Sequence, residues 1–256
     1  MNKTVLITGS TSGIGLGIAH QFAKEGYNIM FHGLEANGQD IANNIAQEHN
    51  IKVGFSNANL LQSEAIEHLI NETINTFGSL HVLVNNAGIQ FVSPIEDFPN
   101  NKYENIIAIN MNAAFYASKA AWKQMKKQNF GRIINVSSVH GLRASEFKSA
   151  YVTAKHGVIG MTKVLALEGA PFNITCNAIC PGYVTTPLVE GQIKDQAKAH
   201  NMTEDDVVEK VMLKKQAVKQ FVPVEAIADM AILLAKDSST TITGTSFALD
   251  GGWSAQ

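Results

Sequence analysis

The sequence predicts an α/β fold, a doubly wound parallel sheet in one domain, and three observations carry that reading. Short β-branched runs alternate with segments of helical period along the whole of the 256-residue chain. The candidate strands are continuously apolar, without the alternation of a half-exposed sheet, so helices must cover both faces. Hydrophobic residues make up 45% and charged residues only 16%, enough apolar material for a large core.

The elements follow in order. Val5-Leu6-Ile7 is the first strand, and a helix over 14–24 is stopped by Gly26. A second strand covers 28–31, a helix 38–48, and Val53-Gly54-Phe55 is the third strand. Ser63 is the expected cap of a helix running to 77, with Glu64 and Glu67 in its first turn, where the helix dipole favours anions. A strand at Val82-Leu83-Val84, a long helix over 102–127, a strand over 132–136, a helix over 149–168 and a strand over 174–179 come next. A helix over 224–235 and a strand at Ser246-Phe247-Ala248-Leu249 complete the alternation. The polar stretch 188–220 breaks the pattern where only a short connection is needed. It is expected to be an inserted helical lid, with a capped start at Thr203-Glu204-Asp205-Asp206. No repeat or low-complexity tract divides the chain, so 1–256 is read as one domain.

Composition excludes several classes. Twenty Lys+Arg stand against 22 Asp+Glu, a formal net charge of −2, which argues against a nucleic-acid binder. No apolar run approaches the ~18 residues of a membrane span. Met1-Asn2-Lys3-Thr4 runs straight into a strand, with no secretion signal. The two cysteines, Cys176 and Cys180, form no disulfide framework and have no histidine at zinc spacing, so they read as buried free thiols. A cytoplasmic protein without metal, membrane or nucleic-acid partner is expected.

Two local patterns carry chemistry. Thr8-Gly9-Ser10-Thr11-Ser12-Gly13-Ile14-Gly15 follows the first strand and opens the first helix. Glycines there let a ligand approach the backbone, and the N–H groups at the helix start suit a pyrophosphate. The second strand ends in Phe31-His32-Gly33-Leu34-Glu35, without the Arg or Lys that a 2′-phosphate needs, so NAD is favoured over NADP. Gly33 occupies the place of the usual ribose-binding Asp. Glu35 is either its replacement or a solvated loop charge.

The second pattern is Tyr151-Val152-Thr153-Ala154-Lys155, which places a phenol and an ammonium one helical turn apart. At about 4 Å such a pair interacts by roughly 4 kcal/mol at an effective dielectric of ~20. That corresponds to about three pKa units, enough to bring a tyrosine towards neutrality as a general base for an alcohol–ketone couple. Ser137-Ser138 ends the fifth strand at the sheet edge where ligands bind. Asn85-Asn86-Ala87-Gly88 ends the fourth strand, Asn110 lies in the long helix, and Pro181-Gly182-Tyr183-Val184-Thr185-Thr186-Pro187 ends the sixth strand.

In this order and spacing, these segments resemble the short-chain dehydrogenase/reductase family over the whole chain. The resemblance implies a Rossmann-type fold and a tetrad of Asn110, Ser138, Tyr151 and Lys155. Tyr151 would exchange the hydroxyl proton and Ser138 would hold the substrate oxygen. Lys155 would lower the tyrosine pKa and bind the nicotinamide ribose, and Asn110 would support a water relay. The cofactor would meet Gly9, Thr11, Gly13, Ile14 and Gly15 at its pyrophosphate and Asn59 at its adenine, with Val184 and Thr186 at the carboxamide. Leu60, Asn86, Ala87, Gly88, Tyr151, Lys155, Pro181 and Gly182 are further cofactor contacts that the resemblance implies. Asn59 stands where the family commonly has Asp.

Within the family the chain resembles the bacterial-type dehydrogenases of D-3-hydroxybutyrate. Val139-His140-Gly141-Leu142, Lys148-Ser149-Ala150-Tyr151, Lys155-His156-Gly157 and Asp250-Gly251-Gly252-Trp253-Ser254-Ala255-Gln256 carry this likeness. That group implies a carboxylate clamp of Gln90, His140, Lys148 and Gln192, and a homotetramer. Tyr183 replaces the group's usual Trp and leaves room for a slightly longer acid. Lys148 is three residues from the base, where a small β-hydroxy acid needs a fixed cation. A 3-oxoacyl thioester reductase would share the catalytic set, but usually takes NADPH and needs cationic contacts missing near Gly33. A non-catalytic dinucleotide sensor of this fold would typically lack the Tyr or the Lys.

Overall fold

The computed structural model describes residues 2–186, 189–191, 193, 197 and 201–255. Its strands are β1 (Thr4–Ile7), β2 (Asn28–His32), β3 (Val53–Ser56), β4 (Val82–Asn85), β5 (Gly131–Val136), β6 (Ile174–Pro181) and β7 (Ser246–Leu249). They form one sheet in the order β3-β2-β1-β4-β5-β6-β7, every pairing parallel. The helices are α1 (Gly13–Lys24), α2 (Gly38–His49), α3 (Ser63–Phe77), α4 (Asn100–Ile107), α5 (Ala113–Lys127), α6 (Ser149–Gly169) and α7 (Val224–Ala235).

Burial explains the apolar strands. β1, β4, β5 and β6 are buried at every position, because helices cover both of their faces. On one face Val5, Ile7, Val82 and Val84 pack with Ile18 and Phe22 of α1 and Ile227 and Ala231 of α7. On the other, Leu6, Leu83 and Ile133 pack with Ile66 and Leu69 of α3 and Ala117 and Ala121 of α5. The order reverses between β1, which leads left to β2, and β4 on its right, opening a crevice at the carboxyl ends of the strands.

Three expectations change. The long helix does not run unbroken over 102–127: it starts at Asn100, and a π turn at Ala108–Asn112 separates α4 from α5. Ser63 is not a cap. Gln62 holds the capping position without a side-chain bond, and Ser63 is already helical. Arg132, in a strand read as apolar, is fully buried, with Nη1 donating to the Gly131 and Asn173 carbonyls at 2.8 and 2.9 Å.

Within 188–220 the Thr203 hydroxyl caps the short helix Glu204–Val207, accepting from the Asp206 N–H at 3.2 Å. The stretch then returns to the sheet edge. Buried Gln216 donates from Nε2 to the Gln220 carbonyl at 2.8 Å, and Val222 bridges Val184.

Candidate active site

The site is built where the strands end. The turn after β1 is left-handed at Gly9 (φ 63°) and at Gly13 (φ 53°). A Cβ on Gly15 would overlap the Gly9 carbonyl oxygen and sit 2.5 Å from Asn86 Nδ2, so only glycine lets α1 start so close to the turn. Asn86 braces that turn, donating from Nδ2 to the carbonyls of Thr8 and Gly9, both at 2.9 Å. Asn86 therefore supports the cradle from behind. His32, not singled out from sequence, also braces it: Gly9 N–H donates to His32 Nδ1 at 3.1 Å, and Nε2 lies 2.9 Å from the Ala58 carbonyl. The imidazole is thus the neutral Nε2–H form, and burial pushes its pKa down. No sequence signal marks a histidine at a strand end for this role. Gly9 N–H is taken by His32, so a pyrophosphate would be met by the start of α1. Ser12 places no side chain over those N–H groups.

A cavity of about 380 Å³ runs from this turn, and its walls include Gly9, Thr11, Gly13, Ile14, Asn59, Leu60, Asn86, Ala87, Gly88, Tyr151, Lys155 and Thr186. An elongated dinucleotide fits that shape and donor set. Gly33, Leu34 and Glu35 also line it. Thr11 Oγ1 donates to the Glu35 carboxylate, and Ser12 Oγ donates to its other oxygen at 3.4 Å. Burial raises the Glu35 pKa, but these hydroxyls and nearby backbone N–H groups outweigh it and hold the carboxyl below its ordinary value. Glu35 is therefore placed by the phosphate turn itself and is no free loop charge. A Cβ at Gly33 would overlap Thr11 Oγ1, which explains the absence of the usual Asp. Asn59 Oδ1 accepts from Leu61 N–H at 3.0 Å, leaving its amide nitrogen for a ligand.

The four tetrad candidates come together at the middle of the crevice. Asn110 sits in the π turn and is tied on both sides to Ile89: its Oδ1 accepts from the N–H at 2.8 Å and its Nδ2 donates to the carbonyl at 2.9 Å. A void of about 10 Å³ beside Asn110, Asn85 and Lys155 approaches the size of one water. Ser138 caps a short turn by accepting from His140 N–H at 3.1 Å. Tyr151 and Lys155 lie in the first two turns of α6.

Their electrostatics differ from the sequence expectation. Burial pushes Tyr151 up to about 12, opposed by its hydrogen bond with Ser138. Burial pushes Lys155 down to about 8. Lys155 Nζ donates to the Val136 carbonyl at 2.8 Å and stands 5.5 Å from the Tyr151 ring centroid. The expected depression of the tyrosine is absent because desolvation of the phenol dominates and the ammonium is turned to a backbone carbonyl.

Next to Tyr151 lies a smaller cavity of about 90 Å³, lined by Gln90, Ser138, His140, Lys148, Tyr183 and Trp253 among others. Lys148 is buried at the start of α6, and its Nζ donates to the Tyr183 hydroxyl at 3.3 Å. Burial, then the Lys215 charge, lowers it to about 8. His140 is lowered to about 3 by burial, then by Lys148, Lys215 and His156, so it is neutral. Its ring nitrogens face Ser138 at 3.4 Å and Ser145 at 3.1 Å, and the residue lines the cavity in which the clamp is expected. Pro181, Gly182 and Val184, expected at the cofactor, line this small cavity, while Thr186 lines both. Trp253 belongs to the terminal segment Asp250-Gly251-Gly252-Trp253. Here it stacks on Tyr183 with centroids 5.9 Å apart and meets His140 edge-on at 5.3 Å. Gln192 lies outside the described residues, as does Leu188 at the lid's start.

Comparison with known proteins agrees with this geometry. Residues 3–197 match the family described as short chain dehydrogenase. The chain is 48% identical over 258 residues to a D-beta-hydroxybutyrate dehydrogenase of Rhizobium meliloti, covering 100% of both. It is 44% identical over 255 residues to a D-beta-hydroxybutyrate dehydrogenase of Cupriavidus necator, covering 99% of this chain and 98% of the relative. The crystal structure of an actinorhodin polyketide ketoreductase with NADPH superposes with a TM-score of 0.94 at 26% identity, over 100% of this chain and 98% of that one.

Proposed function

The chain belongs to the short-chain dehydrogenase family, and within it we propose an NAD-dependent enzyme interconverting (R)-3-hydroxybutyrate and acetoacetate. The observation that carries the substrate class is Lys148, a buried cation in a 90 Å³ cavity shared with Tyr151 and Ser138. A buried ammonium whose hydrogen-bond partner among the described residues is the Tyr183 phenol favours an anionic partner, and a cavity this size suits a small acid. Gln90 lines the same cavity and adds an amide to the clamp, and Gln192 would join it from the lid, 188–220.

NAD is favoured over NADP because Glu35, held ionised at the adenosine end, suits a ribose diol and repels a 2′-phosphate. When bound, NAD supplies the hydride acceptor. The chain's own residues supply orientation and proton handling. Ser138 donates to the substrate oxygen, and Tyr151 Oη exchanges the hydroxyl proton. In reduction Tyr151 starts as the neutral phenol that burial favours. In oxidation it must lose its proton first, and Lys155, one helical turn on, would favour that loss by turning from the Val136 carbonyl towards the phenol. Asn110 holds the adjoining void open for a relaying water. We read the assembly as a homotetramer working in the cytoplasm, without metal, membrane or nucleic acid.

The test is NADH production from (R)- and (S)-3-hydroxybutyrate against a panel of neutral alcohols, with NADP in parallel. Turnover of the (R)-acid with NAD is expected. Activity on a neutral alcohol without turnover of the (R)-acid would sink the substrate assignment.

A further inference from the structure

α1 and α2 pack against each other, and Ile18, Ala19 and Phe22 of α1 share a core with Ala42 and Ile45 of α2. His49 follows Ile45 by four residues, so it continues the stripe of α2 that is turned inward. His20 adjoins Ala19 on α1. Packing of the two helices thereby gathers His20, Glu48 and His49, with one ligand atom of each within 4.8 Å of the others. The two imidazole rings meet edge to face, their centroids 6.4 Å apart.

His49 is the member of this cluster that asks for a ligand. Its side chain is only 14% exposed, its Nε2 is buried, and among the described residues no group makes a hydrogen bond to that nitrogen. Glu48 Oε1 stands 3.4 Å from it without bonding it. A buried ring nitrogen left in this way is costly, and a bound ion is one of the few things that satisfies it. A proton is the poorer answer. It would still lack a hydrogen bond at Nε2, and a second imidazolium at His20 would repel it. His49 also lies in the last turn of α2, where the unpaired carbonyls favour positive charge.

We propose that His20, Glu48 and His49 bind a divalent transition-metal ion of the zinc class, which clips the end of α2 to α1. Two imidazoles and a carboxylate are a donor set that suits Zn2+. With bonds of about 2.0–2.2 Å, the ligands of a tetrahedral ion stand about 3.4 Å apart. Glu48 and His49 already have that separation, and His20 has to close by no more than about 1.4 Å. The active site works without this ion. A Cβ on Gly38, where α2 begins, would lie 3.1 Å from Thr11 Cγ2 in the phosphate turn. His49 lies about 16 Å further along the helix, so the clip is structural and independent of the substrate assignment.

The test is calorimetric titration of the full-length enzyme with Zn2+, using protein without a histidine tag and first stripped with a chelator. One ion per chain with a Kd of about 10 µM or tighter is expected. Zinc at a hundredfold excess over that Kd should raise the melting temperature by about 5 °C or more. His20→Gln and His49→Gln should each weaken binding at least ~10-fold and abolish the thermal shift. Glu48→Gln, at an exposed position where folding is not at stake, should weaken binding as well. All three variants should keep the wild-type kcat, because none reaches the crevice. A Kd weaker than about 10 µM, or binding undiminished in any of the three variants, overturns the proposal.

Discussion

Lys148 and Glu35 show how much one placed charge decides. Lys148 is buried beside Tyr183, so its value lies in the anion it meets. Lys148→Ala is expected to raise KM for the acid at least ~10-fold, as loss of a charge-assisted bond does, with KM for NAD nearly unchanged. Equal rises in both would remove Lys148 from the clamp. Its pKa, lowered to about 8 by burial and then Lys215, adds a pH signature. As pH climbs through 8 the cation is lost, so KM for the acid should rise on the alkaline side. Glu35 works at the other end of the crevice, where Thr11 and Ser12 hold it. Glu35→Ala should narrow the preference for NAD over NADP by about 10-fold or more, since like-charge juxtaposition costs several kcal/mol. Steady-state kinetics with the two cofactors would read this directly.

At the scale of elements, the π turn Ala108–Asn112 is the feature that places a catalytic candidate inside a helix. Widening the helix by one residue rotates Asn110 onto the Ile89 backbone, where it satisfies both the N–H and the carbonyl. Asn110→Ala leaves those two groups without their side-chain partner. It is expected to lower stability by about 1–3 kcal/mol in urea titration, together with kcat. A normal kcat in a destabilised variant would make Asn110 structural alone. The periodicity of 102–127 announced a helix but not this turn, because a π turn is defined by backbone hydrogen bonds that the apolar pattern does not carry. The helix over 224–235 and the strand over 246–249 match the structure residue for residue, since their apolar runs end at sharp changes of composition. Ser63 misled because the residue type of a cap is visible in sequence while its backbone angle is not.

For the whole molecule, burial of charge sets the pH dependence of stability. Lys148 and Lys155 both have folded pKa values lowered to about 8. Between that value and the ordinary lysine value the unfolded chain binds more protons, so these groups make stability rise with pH across that window. Lys148→Met should therefore be more stable than the wild type at pH 7, with the advantage shrinking towards pH 10 in chemical denaturation. A constant or growing advantage would contradict the lowered pKa. Exposed Phe115 and Tyr116 on α5 and Val164 and Leu167 on α6 fit the expected tetramer, which sedimentation would test. The parallel sheet, its strand order of succession, the glycine turn and the pairing of Tyr151 with Lys155 were all legible in the chain, because each depends on neighbours within a few residues. The close approach of Gly15 to Asn86, the anchoring of Glu35 on Thr11, the bracing by His32 and the wall made by Trp253 were not. Those contacts join residues from 23 to more than 100 positions apart, and only the meeting of strand ends at one edge of the sheet brings them together. Local order follows from local chemistry. The raised pKa of Tyr151 follows from desolvation, which exists only once the whole chain has closed around it.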